Sequence, residues 1–162
     1  MKRAASAKSP AGNAGVQAID SRFGRSGRPT QEQLTSVFLS VGQCLREGLS
    51  RKAEETLREA LEKASYEPDD FADLKRLLSF SMETVGRYKE ALEVLKPFED
   101  EEVLHRLKME TQVRVTTQLA IAYNNLNDHP KAVTLLKENL KRAEDNDLRR
   151  LIGRCFLCPK VR

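Results

Sequence analysis

The chain has 162 residues, enough for one domain with a modest core. Charged residues make up 32% of it, Trp is absent, and no apolar run approaches the ~20 residues that cross a bilayer, which excludes a membrane-spanning helix. The net charge of +4 is unevenly placed: residues 1–30 carry six Lys or Arg against Asp20 alone, so the remainder sums to −1.

Residues 1–29 are rich in Ala, Ser, Gly, Lys and Arg and nearly devoid of large apolar side chains, so they cannot offset the entropy of ordering and are expected to be a disordered basic tail. Such a composition also suits a mitochondrial transit peptide, but Pro10, Gly12 and Gly15 interrupt any amphipathic helix. Order is expected from Thr30, where Thr30 and Gln33 form a capping-box pattern and Leu34, Val37, Phe38, Val41 and Leu45 follow at helical spacing. Gly48 ends this first helix, and Ser50 is placed as the N-cap of a second, with Ala53, Leu57, Ala60, Leu61 and Ala64 along one face.

Pro68 starts a third helix, with Asp69 as its expected cap and Leu74, Leu77, Leu78, Ser81 and Met82 as its stripe. The fourth runs from about Arg87 to Phe98. The acidic run from Glu99 to Glu102 reads as the start of a fifth helix that continues through Val113, Leu119, Ala120 and Tyr123. Asn127 to Pro130 is a turn with Asp128 as N-cap, and a sixth helix carries Ala132, Leu135, Leu136, Leu140 and Ala143. From Asp147 the chain begins what reads as the first helix of a further pair, stopped at Pro159, so the helical domain is drawn over 30–158 with an unstructured end at 159–162.

Three segments align on a small residue: Gly48 to Ala60 on Ala53, Gly86 to Phe98 on Ala91, and Asn127 to Leu136 on Ala132. Together with Leu119, Ala120, Tyr123 and Leu136 in the third unit, they resemble tetratricopeptide repeats. The spacings of 38 and 41 residues exceed the family's usual length of about 34 by roughly one and two helical turns, so lengthened helices would keep the apolar face in register. Long-helix repeats of this sort resemble those of kinesin light chains and of cytoskeletal and polarity adaptors. The resemblance implies an all-α, right-handed α-solenoid of three helical hairpins plus a partial cap.

The resemblance also implies a concave groove, lined by the first helix of each hairpin, that binds an extended or helical peptide of a protein partner. By position its lining is Phe38 and Arg46 in the first unit, Arg76, Phe80 and Glu83 in the second, and Arg114, Thr117, Ile121, Asn124 and Asn125 in the third. Chaperone-binding members of the family clamp a C-terminal carboxylate with lysines, arginine and asparagines. The corresponding residues here are Phe38, Gly42, Leu77, Arg114 and Gln118, of which only Arg114 suits.

No catalytic constellation supports an enzyme, and no cofactor is expected. The glycines of the tail precede no GK[ST], and Cys155 to Cys158 lacks the two further ligands a zinc site needs. The expected function is a non-enzymatic scaffold or adaptor in the cytoplasm, with self-association of the repeat edge into a homo-oligomer as the alternative. Nucleic-acid association through the basic tail is a third, disfavoured reading, a solvated tail being the plainer account of that charge.

Overall fold

The structure is a computed structural model that describes residues 27–145. The basic tail before residue 27, the partial helix from Asp147 and the Cys155 to Cys158 pair lie outside the described residues. Within them the chain forms helices and no strand: α1 (Gln31–Arg46), α2 (Ser50–Lys63), α3 (Pro68–Thr84), α4 (Tyr88–Leu95), a 3-10 turn (Lys96–Glu99), α5 (Glu101–His105), α6 (Met109–Asn125) and α7 (His129–Asp145).

Thr30 caps α1 as its pattern predicts: the Gln33 N–H donates to Thr30 Oγ1 at 3.3 Å, and the Thr30 N–H donates to Gln33 Oε1 at 2.9 Å. Ser50 is not a cap. It is the first residue of α2, and its hydroxyl accepts from Thr84 Oγ1 at 2.7 Å, tying the start of α2 to the end of α3. Asp69 does not cap α3 either, because Pro68 occupies the first helical position and needs no N–H partner.

The same turn is built three times. Gly48, Gly86 and Asn127 have φ of 74°, 80° and 64°, the left-handed region that glycine enters freely and asparagine tolerates. At each, two backbone bonds close the preceding helix. The outer bonds run from Leu49 N–H to Cys44 C=O (2.8 Å), Arg87 to Met82 (3.0 Å) and Asp128 to Tyr123 (3.0 Å). The inner bonds run from Gly48 to Leu45, Gly86 to Glu83 and Asn127 to Asn124, completing a Schellman motif in all three places.

The next helix then buries Ala53, Ala91 and Ala132. A side chain larger than methyl has no room where two helices cross. Ala91 is 0% exposed, so Ala91→Leu is expected to cost about 1–3 kcal/mol by overpacking, read as a lowered midpoint in thermal or urea unfolding.

Buried side chains form two connected cores. Leu34, Val41, Cys44, Ala53, Leu57, Leu74, Leu78, Met82 and Ala91 join α1 to α4, while Ala72, Leu95, Phe98, Leu104, Leu119, Tyr123 and Ala132 join α3 to α7. Helix α3 contributes to both and packs on α2, α4 and α6. Leu78 and Leu119 are buried, whereas Ser40, their equivalent by repeat spacing, is exposed. No described helix precedes α1 to cover that face, and the polar residue matches its position.

The expected continuous fifth helix is interrupted. After the 3-10 turn through Pro97, Asp100 accepts from the Glu102 N–H at 2.9 Å and starts α5, which ends at His105. The Lys108 N–H then donates to Asp69 Oδ1 on α3 at 2.8 Å, and Gln112 Nε2 donates to the Leu107 C=O at 2.8 Å. The break lets Phe98, Val103, Leu104 and Leu107 all reach the second core. A straight helix drawn back from Met109 to Glu99 would carry them about 15 Å along its axis, away from Leu119 and Tyr123. The extra residues between Ala91 and Ala132 are therefore a packed insertion and not two added helical turns.

Helix α7 also departs from its expected stripe. Asn139 is fully buried and Leu140 is 39% exposed. Asn139 Nδ2 donates to the Val113 C=O at 2.9 Å and to Thr117 Oγ1 at 2.7 Å, so the interior position is set by hydrogen bonds to α6.

Candidate functional site

Helices α3 and α6 lie side by side, and each presents a row of polar and apolar side chains at helical spacing. The α3 row is Asp73, Arg76, Phe80 and Glu83; the α6 row is Glu110, Arg114, Gln118, Ile121 and Asn125. Two polar rungs join the rows. Arg114 Nη2 donates to Asp73 Oδ2 at 2.8 Å, and Gln118 Nε2 donates to Glu83 Oε2 at 2.9 Å. Asp73 also holds Arg76 at 3.1 Å, and Arg114 reaches Glu110 at 3.1 Å. Phe80, 41% exposed, lies one turn from Glu83, and half-buried Ile121 lies one turn from Gln118.

Most of the expected groove residues gather on or beside these rows. Arg76, Phe80, Glu83, Arg114, Ile121 and Asn125 do. Asn124, half-buried, is held at the turn, with its Oδ1 3.0 Å from His129 Nδ1. Phe38 packs partly into the first core from α1, and Arg46 is exposed as the last residue of that helix. Thr117 is a correction: it is 3% exposed, donates to the Val113 C=O at 2.7 Å and accepts from Asn139, so it belongs to the α6–α7 interior. Its spacing placed it one position too far around the helix for the actual crossing of α7.

Arg114 also differs from its expected free, solvent-facing role, since its guanidinium links α6 to α3 through Asp73. Gln118 is the residue the sequence reading left out of the site. Its only signal was the odd choice of a long amide four residues after Arg114 and one before the buried Leu119.

Glu83 is the electrostatic feature of this face. Burial pushes its carboxyl up to about 7, opposed by the hydrogen bond from Gln118. Its Oε1 is covered and has no hydrogen-bond partner among the described residues. Near the start of α3, burial also raises the Asp70 carboxyl, reinforced by Asp69 and Asp73.

Two other polar clusters serve packing. Arg87, at the N-cap of α4, bridges Glu54 of α2 at 2.7 Å and Glu90 of α4, while Glu54 also receives Arg58 at 2.9 Å. Tyr123 donates its hydroxyl to Glu99, and Lys131 lies 3.2 Å from Glu99 and 4.1 Å above the Tyr123 ring, joining the 3-10 turn to α6 and α7. Among the described residues no group of three His, Cys, Asp or Glu could hold a metal, and no described helix is long and apolar enough to cross a membrane.

Comparison of the chain with protein-family models, characterised proteins and solved structures returns no match.

Proposed function

We propose that this chain is a non-enzymatic interaction module of tetratricopeptide-like helical hairpins, stacked as a right-handed solenoid, and that the face shared by α3 and α6 binds a peptide or helix of a protein partner. The observation that carries the reading is the threefold recurrence of one Schellman turn followed by one buried alanine, at Gly48/Ala53, Gly86/Ala91 and Asn127/Ala132. A hairpin repeated with the same closing geometry buries its apolar stripe against its neighbours and leaves the faces of its first helices to a ligand. Phe80 supplies an exposed aromatic anchor on that face, and aromatic anchors carry a large share of binding energy at protein interfaces.

The test is a pull-down or proximity-labelling survey with the full chain, followed by Phe80→Ala and Ile121→Ala in the same chain. Phe80→Ala is expected to leave helicity intact, to shift stability by less than about 1 kcal/mol because the ring is partly solvated, and to weaken a captured partner by about 1–3 kcal/mol. Circular dichroism and a binding isotherm on one preparation read both. Full affinity in both variants would place binding elsewhere on the chain.

Self-association is the second reading, favoured by the exposure of Val133 and Leu140 on α7. Light scattering of the full chain is expected to give a monomer at micromolar concentration. A stable dimer lost on Val133→Ser with Leu140→Ser would favour stacking between copies instead.

A further inference from the structure

We propose that the Glu83 carboxylate receives a cationic side chain, arginine or lysine, from the bound segment, which seats it beside Phe80 and Ile121. The proposal rests on the groove reading above and adds the charge of the residue that the groove selects.

Glu83 is 9% exposed, and its covered Oε1 is unbonded, a desolvation cost that no group among the described residues offsets. The Gln118 amide satisfies Oε2 alone. The ion-paired charges on the elements packed around it are engaged with one another. On α3, Asp73 and Arg76 pair with each other, and Arg114 of α6 pairs with Asp73 and Glu110. On α2, Glu54 is held by Arg58 and by Arg87 at the N-cap of α4, which also holds Glu90. None of these groups perturbs the Glu83 carboxyl, whose rise to about 7 comes from burial.

Among the described residues Glu83 is therefore an acid with no cation paired to it, on the face where an aromatic ring stands exposed one helical turn away. A guanidinium or ammonium entering here would complete a charge-assisted hydrogen bond and lie against the face of Phe80, each of which favours a cation over a neutral side chain. Oε1 is covered, so the incoming donor meets the carboxyl at Oε2, where Gln118 occupies only one of the lone pairs.

The cation holds Glu83 ionised, so binding releases a proton whenever the free protein carries one. With a free carboxyl near 7, its ionised fraction rises from about a tenth at pH 6 to about nine-tenths at pH 8. Affinity for a basic peptide is expected to rise about tenfold across that interval.

The probe is a displayed library of random dodecapeptides selected on the full chain at pH 8. One enriched peptide is then synthesised with its basic residue and again with that residue replaced by citrulline (for arginine) or norleucine (for lysine). The expected result is enrichment of sequences that place Arg or Lys next to an apolar residue, loss of tenfold or more in affinity for the neutral peptide, and the same loss for the charged peptide on Glu83→Gln. The tenfold gain from pH 6 to pH 8 should vanish in Glu83→Gln.

The neutral replacement leaves the protein untouched, so the proposal stays testable even where the protein variant misfolds. Peptides that bind through Phe80 and Ile121 with no preference for a basic residue overturn the proposal and leave the groove reading standing. Peptides indifferent to Phe80, Ile121 and Glu83 alike, or no enrichment at all, overturn both.

Discussion

Tyr123→Ala is expected to remove about 3–5 kcal/mol of stability, a large share of what holds a domain of this size together. The ring is buried in the second core with Leu95, Phe98, Leu119 and Ala132, which come from α4, the 3-10 turn, α6 and α7. Truncation leaves a cavity where these four elements meet. It also strips Glu99 of its hydroxyl donor and Lys131 of the ring beneath it. Tyr123→Phe keeps the ring and loses only the hydroxyl, so it should cost about 1 kcal/mol. Urea unfolding followed by circular dichroism separates the two. Equal costs would mean that hydrogen bonding to Glu99, and not packing, is what Tyr123 contributes.

Glu83→Gln is expected to stabilise the chain at pH 8 and to weaken it by about 1 kcal/mol near pH 4.5. The unfolded carboxyl titrates near 4.5 and the folded one near 7, so the folded state holds its proton more tightly. Stability from this group is fully present below the unfolded value and is lost as pH rises through the folded value. The total loss is about 3 kcal/mol, and the curve is flat above the window. Glutamine keeps the shape and cannot ionise. Its amide nitrogen replaces the unbonded oxygen and itself lacks an acceptor, so the net gain at pH 8 should be about 2 kcal/mol. Comparing variant with parent at each pH cancels the titration of every other carboxylate. A difference that stays constant from pH 4.5 to pH 8 would show that Glu83 is not the titrating group.

The features legible in the sequence are those decided within one or two turns of chain. The Thr30 and Gln33 cap, the positive φ at Gly48, Gly86 and Asn127, the Asp128 cap and the three small alanines all follow from backbone sterics and contacts a few residues apart, so residue type alone announces them. Apolar stripes at helical spacing likewise marked which face of α1 to α4 turns inward. The choices the sequence left open depend on where one helix crosses another. Nothing between Glu99 and Met109 signals a break, because the break is held by Asp69, 39 residues before Lys108. Thr117 and Asn139 are polar and read as surface residues until the α6–α7 crossing supplies each with the other as partner. The pairs that build the candidate site, Asp73 with Arg114 and Glu83 with Gln118, span 41 and 35 residues. Such pairing is set by the angle and offset at which α3 meets α6, and the burial that raises the Glu83 carboxyl exists only once that meeting has taken the group out of water.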